Sequence, residues 1–137
     1  MATVEDIYRK HRPQAFEARR PSSSEVWWWF FMRISGVVLV FLVLIHLFVM
    51  HIMESGVERV NFAFVAERWD NVGWKTFDWV MLVLALVHGT NGLRIVIDDY
   101  VRRPATRTAI KGFLYTLAVI LTIMGTAVIV TFNPQAT

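Results

Sequence analysis

Within thirteen residues the chain places a histidine, two glycines, an arginine, two carboxylates and a tyrosine: His88-Gly-Thr-Asn-Gly-Leu-Arg-Ile-Val-Ile-Asp-Asp-Tyr100. A neutral imidazole can ligate a metal, a phenol can donate a hydrogen bond, and a carboxylate beside it can pass protons. On an α-helix each residue turns by about 100° and rises about 1.5 Å, so Asp99, eleven positions after His88, returns to nearly the same face about 16 Å along the axis. One face would then carry an imidazole at depth and a carboxylate and phenol near its end. A second histidine, His46, stands inside another apolar run.

The elements that must position these side chains are membrane helices. Of 137 residues 55% are hydrophobic and 14% aromatic, too apolar for a soluble domain of this length. An all-α integral membrane protein with three transmembrane helices is expected, at about 26–53, 76–98 and 112–132, preceded by a polar cytoplasmic arm over 1–25. The twenty residues Ile34 to Met53 suffice to cross a hydrocarbon core of about 30 Å. Trp27, Trp28 and Trp29 sit where an interfacial aromatic belt would anchor the first helix. Residues 54–75 read as a loop in which Val57 to Ala66 could form a short amphipathic helical turn, and Tyr100 to Lys111 as a basic loop.

Charge sets the expected orientation. The arm through Arg33 carries six Lys and Arg, the first loop three, the segment from Arg94 to Lys111 five, and the tail none. The positive-inside rule then puts the N-terminus and the second loop in the cytoplasm and the C-terminus outside. The formal net charge of +3 is spread over flanks and loops, which argues against nucleic-acid binding. There is no cysteine, so a cysteine-ligated iron-sulfur cluster is excluded within this chain. The first apolar run lacks a small-residue cleavage site and is expected to remain as an anchor.

A histidine inside a bilayer costs free energy unless it pairs, titrates or binds a metal. Two of them on membrane helices favour haem, for which neutral imidazole is a good axial ligand, over interhelical hydrogen bonds alone. His88 lies ten residues from Asp98 and His46 thirteen from Arg33, about 15 and 20 Å from the cytoplasmic side. Each is therefore expected to meet a partner's histidine, giving up to two haems at two depths. Gly92 and Ala85, on the face of His88, would either make room for a flat macrocycle or serve close helix packing. Arg33 and Arg94 would either neutralise propionates of the His88 haem or anchor the helices by their charge. Asp99 and Tyr100 could form a proton-supplying, hydrogen-bonding quinone site, or a helix end with an interfacial tyrosine.

The interval from His88-Gly-Thr-Asn-Gly-Leu-Arg to Asp99-Tyr100, with Arg33-Ile-Ser-Gly36 opening the first helix, resembles the small membrane-anchor subunit of succinate dehydrogenase, respiratory complex II. The likeness covers the three-helix layout from about Val26 to Phe132. It implies a multi-pass protein of the bacterial cytoplasmic membrane. Its partners would be a flavoprotein, an iron-sulfur subunit and a second membrane anchor, in a complex that can associate further. By this resemblance His88 ligates the proximal haem b together with a histidine of the other anchor, and Tyr100 hydrogen-bonds quinone with Asp99 beside it. The separation of His46 from His88 resembles the two-haem pattern, in which His46 is the distal ligand and menaquinone the acceptor. The chain itself would not oxidise succinate; fumarate reduction, or a structural role for the histidines, are the rival expectations.

Overall fold

The computed structural model describes residues 5, 22–53 and 56–132. Most of the expected N-terminal arm, and the tail beyond Phe132, lie outside the described residues. The described chain is helical, with no strand, and three of its helices are long and apolar enough to cross a membrane. Helix α1, Ser23–Leu47, runs on through a π-helical turn, Phe48–Ile52. A 3-10 turn at Gly56–Arg59 leads to α2, Phe62–Asp70, then α3, Val72–Tyr100, and α4, Pro104–Thr131. The three spans of 30, 29 and 28 residues are about 42–45 Å long, enough to cover hydrocarbon and headgroups.

The helix starts are written in local chemistry. Ser22 Oγ accepts from Glu25 N at 3.3 Å and Ser22 N donates to Glu25 Oε2 at 2.9 Å, a reciprocal cap that satisfies two backbone donors. Asn61 caps α2 through Phe64 N at 3.0 Å, and Asn71 caps α3 through Gly73 N at 2.8 Å. The α4 start corrects the expected loop over Tyr100 to Lys111, because only Val101 to Arg103 connects α3 to α4. Pro104 at the first turn needs no backbone donor there, and Arg107 closes the corner by donating to Val101 O from Nε at 3.0 Å and Nη2 at 2.8 Å. At the other end, Gly56 adopts φ +60°, where a Cβ would stand 2.9 Å from His51 O, so only glycine fits the exit from the π turn.

Helix α3 is the hub: α1, α2 and α4 all pack against it. Trp79 Nε1 donates to Thr126 Oγ1 at 3.1 Å between α3 and α4, and Gly125 lies so close to Leu82 that a Cβ there would meet its side chain. Few apolar side chains are buried; Ile97 and Ile129 are the hydrophobic ones among the described residues. Residues such as Val37, Phe41, Leu44, Val119 and Ile123 stay exposed along the helices. An apolar exterior of this kind has lipid or other membrane subunits as its natural surroundings.

Helix α2 is fastened by a buried ion pair. Arg68 Nη2 donates to Asp78 Oδ1 at 2.7 Å, with side chains 5% and 12% exposed. Trp69 Nε1 donates to the other carboxylate oxygen at 2.8 Å, and the guanidinium lies 4.3 Å from the centre of the Trp74 ring. Trp69 also meets Phe132 edge to face at 5.1 Å, while Lys75 Nζ donates to Phe132 O at 3.2 Å, so the end of α4 is held at the same place. Removing one partner of a buried pair strands a charge and costs about 3–5 kcal/mol, whereas removing both costs far less. Asp78→Ala is therefore expected to lower the apparent melting temperature of the detergent-solubilised protein much more than the double change Arg68→Met with Asp78→Leu. Equal losses for the single and double variants would contradict this role for the pair.

Candidate functional site

His88 sits on α3 and turns its Nδ1 edge towards α1. Its Nδ1 lies 2.7 Å from Ser35 Oγ. Ser35 is 3% exposed, and the same Oγ is 2.5 Å from Phe31 O, one helical turn back. The next residue, Gly36, is what allows the approach, since a Cβ there would stand 3.3 Å from His88 Cε1. The imidazole is thus held along one edge by Ser35 and Gly36. Its Nε2 makes no hydrogen bond among the described residues and is the ring atom left to act as a ligand.

Of the small residues expected to clear space around His88, Gly92 faces Met32, 3.7 Å from the position of a Cβ. This favours its role in close packing of α1 on α3. Ala85 lines a different cavity, of about 620 Å³, together with His46, Arg68, Asp78, Leu82 and Gly125. His46 Nδ1 comes within 3.4 Å of Asp78 Oδ1, but without the alignment of a hydrogen bond, and it is buried with no such partner. The distance permits charge attraction if the ring is protonated; it leaves the neutral ring unanchored. His51 lies in the π turn and is exposed.

Arg33 and Arg94 are brought together. Both line a groove of about 550 Å³ between α1 and α3, with Trp28, Trp29 and Asn91. The Arg33 guanidinium lies 4.1 Å from the centre of the Trp29 ring, a cation on an aromatic face. Arg94 Nε is buried without a hydrogen-bond partner, an N–H that an anionic or carbonyl group in the groove would satisfy. His88 does not line this groove; its ring faces Ser35 and Gly36.

Asp98, Asp99 and Tyr100 end α3 and differ sharply in their partners. Asp98 accepts from Lys111 Nζ at 2.7 Å and lies 3.7 Å from Arg107 Nε, so its carboxylate is occupied by the start of α4. Asp99 is exposed, and Tyr100 is 82% exposed. Neither makes a side-chain hydrogen bond among the described residues. The carboxylate and phenol are free to meet a molecule or a protein outside this chain.

The model of the succinate dehydrogenase/fumarate reductase transmembrane subunit family matches residues 8–130. The chain belongs to this family. No curated protein matches it individually. A succinate dehydrogenase/fumarate reductase transmembrane subunit is one component of a multi-subunit membrane complex, in keeping with the apolar faces exposed along these helices. Sequence reasoning singled out His88, Asp99 and Tyr100 but missed the parts of Ser35 and Gly36, whose role depends on a contact across 53 positions. The Arg-Ile-Ser-Gly segment was the available signal.

Proposed function

We propose that this chain is the haem b-binding, quinone-facing anchor of a bacterial succinate:quinone oxidoreductase, passing electrons from an iron-sulfur subunit to membrane quinone. The observation that carries this reading is the state of His88 within a family of redox membrane subunits: one ring nitrogen is held by Ser35 and the other is left free on the central helix. A histidine serving only to join two helices would gain most from using both ring nitrogens in the apolar interior. The donor set suits a b-type haem, whose iron would be held by His88 Nε2 together with a histidine of the second anchor. When bound, the haem supplies a one-electron carrier within the membrane.

The residues of the chain divide the remaining work. Arg33 and Arg94, cationic and lining one groove, would pair with propionates at the cytoplasmic side, and the Arg94 Nε without a hydrogen-bond partner supports that use. Quinone reduction consumes two electrons and two protons. Tyr100 would donate a hydrogen bond to a quinone carbonyl, and Asp99, open to water, would relay protons to it. With the N-terminus inside, this pair faces the cytoplasm, where the flavoprotein and iron-sulfur subunits dock.

His46 is assigned the distal haem, and the two-haem arrangement points to menaquinone. Support comes from the cavity beside His46 and from its buried Nδ1, which makes no hydrogen bond among the described residues and has Asp78 Oδ1 near it at 3.4 Å. The purified complex should then carry two haems per bound flavin, and His46→Leu should carry one. A ratio of one in the unaltered complex removes His46 from the ligand set.

A further inference from the structure

We propose that Ser35 is a positioning residue that fixes the tautomer of His88 and thereby sets the reduction potential of the haem it ligates. The inference rests on the assignment of His88 as an axial ligand and deepens it.

Proton counting fixes the roles of the two side chains. A serine hydroxyl has one proton to donate and lone pairs to accept with. Phe31 O is a carbonyl, so the 2.5 Å contact with Ser35 Oγ is favourable only if the hydroxyl donates there; otherwise two oxygen lone pairs would face each other at that distance. With its proton committed to Phe31 O, Ser35 can only accept from His88 at 2.7 Å. Nδ1 must then carry the ring proton, and Nε2 carries the lone pair. This is the tautomer that an Nε2 ligand requires.

Helix geometry makes the arrangement durable. Ser35 is 3% exposed, so no water competes for its hydroxyl, and bonding to the carbonyl four residues back is a natural habit of serine in an apolar helix. Gly36 lets His88 Cε1 approach α1 to within contact, so the ring cannot swing away from Oγ without losing its packing. The Nδ1–H···Oγ bond also makes Nε2 a stronger electron donor to a bound metal, as outer partners of ligating histidines do. A stronger donor stabilises the oxidised iron more than the reduced iron.

Ser35→Ala removes the acceptor but leaves Phe31 O in the backbone ladder of α1, so the helix is expected to survive. Redox titration and low-temperature electron paramagnetic resonance of the purified complex test the proposal. In Ser35→Ala the reduction equilibrium of this haem should shift about tenfold towards the reduced form, about 59 mV upward for a one-electron couple, with altered low-spin g values. Ser35→Thr, which keeps the hydroxyl, should restore both. Loss of haem in the alanine variant with a normal potential in the threonine variant also supports the role. An unchanged potential and g values in Ser35→Ala, or a threonine variant as impaired as the alanine one, would overturn it. Failure of the underlying ligand assignment has a separate signature: haem would persist unaltered in His88→Ala.

Discussion

Replacing His88 by alanine is expected to remove the proximal haem b from the purified complex, so that its low-spin absorbance is lost and total haem per bound flavin falls by one. On the proposed ligand role the effect should be all or none, whereas changes to an outer partner typically cost 10- to 100-fold in affinity. Fold loss is not a competing explanation. The substitution forfeits one interhelical hydrogen bond, worth about 1 kcal/mol, and leaves the Ser35 hydroxyl bonded to Phe31 O. Helix α3 keeps its packing against α1, α2 and α4, and the ion pair of Arg68 with Asp78 is remote from the change. Electron transfer from succinate to a soluble dye, which bypasses the membrane, should continue. An unchanged haem spectrum in this variant would sink the assignment.

The second large effect is expected at Tyr100. Tyr100→Phe should lower quinone-dependent turnover by about 10²-fold, the scale of a lost acid–base or hydrogen-bonding contribution, while dye-linked succinate oxidation stays at the level of the unaltered complex. The side chain is 82% exposed and its hydroxyl has no hydrogen bond among the described residues, so phenylalanine should leave stability unchanged. The comparison of the two acceptors isolates the quinone step. Asp99→Asn should reduce the same activity, with Asp98→Asn as the contrast: Asp98 is bound to Lys111 at 2.7 Å and serves the α3–α4 corner instead. Equal quinone turnover in Tyr100→Phe would return this tyrosine to the role of an interfacial anchor.

The three spans were legible because apolar run length is a local property, and so was the place of His88 inside the second of them. The start of α4 was misjudged because Arg107 and Lys111 read as loop charges. Pro104 was a helix-start signal, and these two side chains turn back onto Val101 and Asp98. Helix α2 was visible only as a possible turn. Arg68 counted as a loop charge, yet it is 8% exposed, because its partner Asp78 lies on the next helix and burial of a cation depends on that pairing. Ser35 and Gly36 illustrate the same limit at the site. Their types suggested little alone, and their meaning came from the imidazole placed against them.

Addition of succinate to the purified complex, followed by a reduced-minus-oxidised spectrum, tests the proposed redox role most directly. This chain should copurify with a flavoprotein and an iron-sulfur protein, and succinate alone should reduce a low-spin b-type haem that the His88→Ala complex lacks. A complex without haem, or one whose haem succinate leaves oxidised, would contradict that role.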